Sequence, residues 1–337
     1  ITKDQVLRIN YRSCCNIVRH SKWLIDHNQA RVPKDITPFS QEKGDIKLFV
    51  GDDLSEQAET IAQWILKQKN DNNRWSDFAV LFRYNQYHDL LYMVLSKFNI
   101  PVFFDGIKIF NSGVGRCILS YLTIIYDRNR ATANHYETIL KKPNKYFTNE
   151  FIRTIQSWDD FINLEHARNS LREMDLNKYE ALVNKLTKLS ENIAGQSADS
   201  IVTTIIEEFE LKQFYKDESK LSEDVDTATD YDILEIIMSF AKGFGSIDDF
   251  YNYCTDLSKK SATNGTYDNN DTDKVKLSSI HKAKGNEFSH VAYFNVVKRI
   301  TEKAAETELE EERRISYVAV TRPRESLIIT TQKGEIS

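Results

Sequence analysis

DIKLFVGDDLSEQAETIAQWILKQKNDNNRWSDFAVLF, residues 45–82, carries two hydrophobic rhythms in one run. Residues 45–50, bounded by Gly44 and Gly51, have strand character. Asp53 and Glu56 then form a candidate capping box. Beyond them Ala58, Ile61, Ala62, Ile65 and Leu66 recur at the spacing that buries one helix face against a sheet. Residues 78–82 are a short, continuously apolar run, the pattern of a strand covered on both sides. A second helical stripe follows with Leu91, Val94, Leu95 and Phe98, and residues 100–104 return to strand character. Strand and helix in alternation predict a parallel sheet.

From about Gly113 to Asp273 the strand signals stop. Amphipathic helical stretches replace them, as at 179–189, 200–211 and 231–240. That region closes with SATNGTYDNNDTD, residues 261–273, which has nothing to bury and reads as a mobile loop. Strand character resumes at 274–280, 290–296 and 327–331, with a helix over 309–321. The simplest topology is an α/β domain made of residues 1–112 and 274–337, with an all-helical domain, 113–273, inserted in it. Residues 274–280 are then expected in the same sheet as 45–50 and 78–82.

With 337 residues, 41% hydrophobic and 28% charged, the chain can fill two ordinary cores. A formal net charge of −5 excludes a uniformly basic coating protein but leaves room for a local basic groove. Four cysteines without a CxxC pair point to a reducing, cytoplasmic setting and to neither zinc nor a disulfide framework. No run of 18 apolar residues or signal pattern marks a membrane span, so no membrane partner is expected. The start at Ile1, without methionine, reads as a piece of a longer polypeptide. No glycine is followed by lysine, so GxxxxGK[ST] cannot occur, and no apolar strand ends in an Asp-Glu pair for magnesium. Neither HExxH nor GxSxG is present.

Three motifs carry chemistry. LRINYRS, residues 7–13, places Arg12 after Asn10 and Tyr11. Taken alone, Arg12 is a surface arginine near a helix start. VKLSSIHKAKGNEF, residues 275–288, runs from a strand into a turn, where His281 and Lys284 are equally a turn histidine and a solvated charge. LEEERRISYVAVTRPRESL, residues 309–327, reads as a helix with an acidic start suited to the positive end of its dipole. Ile315, Val318, Ala319 and Arg322 share one face of it, and Pro323 pushes Arg322 out of helical dihedrals. Arg313 and Arg314 suit ion pairs within the motif.

Together, in this order and spacing, these motifs resemble the UvrD/Rep/PcrA family of superfamily 1 DNA helicases: LxQNYRS, VxLxTxHxAKGLEF and the final ATPase motif. The resemblance covers nearly the whole chain and implies the family's second RecA-like domain with its inserted helical domain, a P-loop NTPase-like fold lacking the P-loop. It implies that Arg12 and Arg322 contact the γ-phosphate of ATP, a task suited to a permanently charged planar donor. Gly285 would let the backbone approach the nucleotide, and Glu287 would accept from its ribose. Ser279 and His281 would face the DNA track, as would Asn85 in VLFRYNQ, residues 80–86, which resembles the family's VLYRTNAQ. Asn85 is otherwise ordinary turn chemistry. YETILKKPNKYF, residues 136–147, resembles the NxPxRxIG stretch and makes Lys141, Lys142 and Lys145 candidate phosphate contacts, or simply solvated lysines.

The function implied is the C-terminal motor half of an ATP-dependent DNA helicase, moving 3′ to 5′ on single-stranded DNA and at single/double-strand junctions. An N-terminal helicase half would bring the phosphate-binding lysine and the Mg²⁺ ligands. By itself, the chain would be inactive. A non-catalytic nucleic-acid- or partner-binding module that keeps the fold is the alternative, as is the helicase part of a helicase-nuclease. DNA repair is one setting such motors serve. On the first reading Arg12, Glu287 and Arg322 must surround one nucleotide although they lie at opposite ends of the chain.

Overall fold

In the computed structural model, residues 8–103, 108–143, 147–220, 229–262, 272–296 and 306–333 are described. The first element, β1 (Ile9–Asn10), pairs in parallel with β2 (Thr37–Pro38), and between them runs α1 (Cys15–Asp26). β3 (Asp45–Gly51) leads into α2 (Leu54–Gln68). The Asp53 carboxylate caps α2 by accepting the Glu56 N–H at 3.0 Å, and the Glu56 carboxylate accepts the Asp52 N–H at 2.6 Å. Ala58, Ile61, Ala62 and Ile65 are fully buried. Leu66, expected on the same stripe, is 42% exposed, because one residue past Ile65 is a further 100° round the helix.

β4 (Phe78–Phe82) is buried at all five positions, as a strand covered on both faces must be. α3 (Tyr87–Lys97) buries Leu91, Val94 and Leu95. The strand expected over 100–104 is not formed among its described residues. Only Val102 bridges, to Val275, and Pro101, which has no N–H for a ladder, contributes just its carbonyl to the Val275 N–H.

A helical region follows: α4 (Gly113–Tyr126), α5 (Ala133–Lys141), α6 (Asn149–Thr154), α7 (Trp158–Ile162) and α8 (Leu164–Ser170). It continues with α9 (Glu173–Glu191), α10 (Ala198–Glu208), α11 (Leu211–Lys220), α12 (Asp230–Ala241) and α13 (Ile247–Ala262). Its core is rich in aromatic rings, with Tyr136, Phe161 and Tyr179 clustered and the Tyr179 hydroxyl donating to the Phe161 carbonyl at 2.7 Å. Of the stretch read as a loop, Ser261 and Ala262 end α13, and 263–271 lie outside the described residues.

The chain then returns to strands: β5 (Lys276–Ser279), β6 (Phe288–Phe294), α14 (Glu306–Val320) and β7 (Pro323–Gln332). The chain divides into two compact units, Asp105–Gly265 and the remainder, Ile1–Phe104 with Thr266–Ser337. In the second of these the sheet order is β3-β7-β6-β4-β5, parallel throughout. Strands from the two ends of the chain interleave, since β7 and β6 lie between β3 and β4. α14 covers one face through Ile315, Ala319 and Val320, which join Leu81, Val291 and Tyr293 in one cluster.

Phe82, at 2% exposure, sits on β4 between β6 and β5. Phe82→Ala is expected to cost about 3–5 kcal/mol through lost burial and the cavity left behind. Urea unfolding measures this, and a loss below about 1 kcal/mol would contradict the described core.

Candidate functional site

Arg12 reaches the far end of the sequence through its own side chain and through its neighbours. Asn10 Oδ1 accepts the N–H groups of Arg12 and Ser13, at 2.9 and 3.1 Å, and so fixes the turn before α1. Ser13 Oγ donates to the Pro323 carbonyl at 2.6 Å, and the Cys14 N–H donates to the Arg324 carbonyl at 2.9 Å. Gly44 belongs to the same seam. Asn16 exchanges two hydrogen bonds with its backbone, and a Cβ at Gly44 would stand 2.3 Å from the Glu325 carbonyl oxygen.

Pro323 ends α14 and begins β7, leaving Thr321 and Arg322 in the turn between them. Arg322 folds back over the helix end, with Nε donating to Val318 O at 2.9 Å, Nη1 to Asn286 O at 3.2 Å and Nη2 to Thr321 Oγ1 at 3.1 Å. These acceptors are uncharged. Burial, and next the nearby Arg12 guanidinium, lower the Arg322 pKa. Two cations side by side, one resting on neutral acceptors, form a place where an anion is favoured.

Glu287 is the carboxylate of this cluster. Oε2 accepts from Arg12 Nε at 2.7 Å, Oε1 accepts from Arg324 Nη2, and Arg324 followed by Arg12 holds its pKa below the ordinary range. Arg12 also donates from Nη1 to the Thr321 carbonyl at 3.3 Å. The structure thus brings Arg12, Glu287 and Arg322 into one cluster. Gly285 lies two residues before Glu287 with φ at +94°, in the region that disfavours side chains.

Asn85, Ser279 and His281 lie elsewhere. Phe82 pairs with Ser279, so the turn after β4, with exposed Asn85, and the turn after β5, with exposed His281, share the C-terminal edge of the sheet. Ser279 itself is 7% exposed. The Arg12 cluster is at the opposite edge, where β6 and β7 begin with Phe288 paired to Pro323. Residues 280–287 join the two edges. Lys141 is exposed and ion-paired with Glu137 at 2.6 Å. Lys142 is half-buried, its ammonium 5.8 Å from the Tyr215 ring centre. Lys145 lies outside the described residues.

Sequence reasoning missed Arg324 and Asn10. Arg324 stands in RPRES as one more charge on a strand, and only the pairing of β6 with β7 brings it to Glu287. The side-chain role of Asn10 had a visible signal in the Asn placed two residues before Arg12, the spacing of an Asx turn. The expected ion pairs of Arg313 and Arg314 are present, to Glu306 and to Glu310 and Glu311. Buried Glu310 also accepts the backbone N–H groups of Gln29 and Ala30, tying α14 to the loop after α1.

A parallel sheet of this order, with helices on its faces and a helical insertion, defines a RecA-like α/β domain. The chain belongs to the UvrD-like helicase C-terminal domain family, whose model matches residues 5–334. It is 26% identical to the ATP-dependent DNA helicase PcrA of Staphylococcus epidermidis, over 97% of this chain and 46% of that protein. It is also 26% identical to the ATP-dependent DNA helicase Rep of Buchnera aphidicola, over 97% of this chain and 54% of that protein. The PcrA of Staphylococcus aureus is 25% identical, over 96% and 46%. The chain thus spans about half the length of the curated relatives it matches. Among the described residues, no helix is long and apolar enough to cross a membrane.

The lowered pKa of Glu287 sets the sign of a pH effect. Its ion pairs stabilise the fold above the unfolded carboxylate pKa, about 4.3, and that contribution is lost as pH falls through the lower folded value. Glu287→Gln should therefore melt slightly below the wild-type chain near neutral pH, with the gap closing in acid. Melting curves of both proteins between about pH 3 and pH 7 test this, and a gap that widens in acid would contradict the assignment.

Proposed function

We propose that this chain is the C-terminal motor half of an ATP-dependent DNA helicase, forming one wall of an ATP cleft whose other wall is an N-terminal helicase half. The observation that carries the reading is the cluster of Arg12, Arg322 and Glu287, assembled from residues about 300 positions apart onto one edge of the sheet. The names of the relatives support it. Arg12 and Arg322 stabilise the charge that develops on the γ-phosphate, and Glu287 accepts from the ribose. In this role Arg12 exchanges part of its contact with Glu287 for phosphate oxygens, and Arg324 keeps the carboxylate charged and in place.

Among the described residues no three His, Cys, Asp or Glu side chains converge as metal ligands. We assign the Mg²⁺ ligands, with the phosphate-binding lysine, to the N-terminal half. Asn85, Ser279 and His281 serve a single DNA strand at the other edge, and Lys141 of the helical unit serves as a phosphate contact to duplex. Residues 280–287 connect the two edges, so cleft closure on ATP shifts the strand-holding turn. Residues 1–112 with 274–337 act as the second RecA-like domain and 113–273 as its inserted helical domain. Translocation from 3′ to 5′ belongs to the same proposal, in a cytoplasmic enzyme for which DNA repair is one setting.

The chain alone should hydrolyse no ATP, with or without single-stranded DNA. In the full-length polypeptide, Arg12→Ala or Arg322→Ala should each lower ATP turnover by about a thousandfold, the scale of an arginine finger. Phosphate release measured with single-stranded DNA present tests both statements. A loss below about tenfold for both variants rejects the assigned roles.

A further inference from the structure

β3 is an edge strand of the sheet, paired with β7 on one side only. Every second residue of such a strand turns its N–H and C=O outward, and among the described residues no backbone group meets Ile46–Val50 from that side. Beside this edge runs a groove of about 390 Å³. One wall is β3 at Lys47, Leu48 and Phe49, with Ile328 of β7, and the other is the α2 stripe Thr60, Gln63, Trp64 and Lys67, at helical i, i+3, i+4, i+7 spacing.

Two features of this edge point to an occupant. Lys67 makes no ion pair among the described residues, and Lys47 pairs only with exposed Asp45. On the opposite face of β3, Leu48 and Val50 are 64% and 41% exposed, large apolar side chains left in water on a strand that alternates in and out. An unpaired edge with a helix-walled groove on one face and an apolar strip on the other is what strand addition requires.

We propose that the β3 edge takes an extended acidic segment of another protein as an added β-strand. The segment's alternate residues divide between the two faces. One set, acidic, enters the groove against Lys47 and Lys67. The other set, apolar, covers Leu48 and Val50. Seven residues of β3 allow about 23 Å of pairing, enough for a peptide of six to eight residues. The surface does not involve the Arg12 cluster, so binding there leaves ATP turnover unchanged.

A random dodecapeptide phage library selected on the full-length polypeptide, and counter-selected on its Leu48→Glu/Lys67→Glu variant, tests the proposal. The expected winners alternate apolar and acidic residues and, as synthetic peptides, bind with roughly micromolar Kd. They slow hydrogen exchange at Ile46–Val50 and lose about tenfold in affinity on Lys67→Glu alone. Both substituted positions are exposed, so unchanged melting of the variants confirms that folding is not at issue. No enriched peptide, winners without acidic alternation, or binding that leaves exchange at Ile46–Val50 unaltered would each overturn it. Self-association of the polypeptide that Leu48→Glu abolishes, with no peptide enriched, would make the face a self-interface and overturn it equally.

Discussion

The run Arg12–Ser13–Cys14, laid against the junction of α14 and β7, is the constraint on which the rest of the site depends. Arg12 donates to the carbonyl of Thr321, Ser13 to that of Pro323 and Cys14 to that of Arg324. The Ser13 contact is buried, so losing it would strand a carbonyl away from water. The seam determines where the Arg12 guanidinium emerges and which groups it meets. Without it, an early arginine and a late arginine would be unrelated surface charges. Interleaving of β7 and β6 between β3 and β4 builds the same closure into the sheet, so neither chain end can form a complete core alone.

Charge is deployed unevenly around that seam. Glu287 has two guanidinium partners, whereas Arg322 rests on carbonyls and a hydroxyl. Exposed ion pairs contribute little to stability, so the Glu287 pairs serve orientation more than folding. The proposed phosphate site lies at the edge where β6 and β7 begin, while ligands of open parallel sheets commonly sit at the carboxyl ends. That carboxyl edge holds Asn85 and His281, and residues 280–287 bridge the two. On the proposed reading this short connection is what allows one domain to feel nucleotide and DNA together.

Local pattern made much of this architecture legible. The buried stripe of α2 and the wholly apolar β4 follow from period and composition, and the family motifs bring fold class and helicase kinship with them. Non-local pairing was harder to read. Residues 100–104 have strand composition, but Pro101 and the register of β5 leave one bridge at Val102. Leu66 fits a helical stripe by spacing, yet its place a further 100° round the helix from Ile65 leaves it outside. Arg324 became visible as a partner of Glu287 only through strand register, and the burial of Ser279 through its pairing with β4. The proximity of Arg12, Glu287 and Arg322 is reachable from the sequence because the family resemblance implies a shared chemical task for them.

The most direct test of the central claim is a crystal structure of the full-length polypeptide with Mg²⁺ and a non-hydrolysable ATP analogue. The account predicts the γ-phosphate within hydrogen-bonding distance of both the Arg12 and Arg322 guanidinium groups, with the ribose at Glu287. A γ-phosphate that touches neither arginine, with Arg12 still held wholly by Glu287, would contradict it.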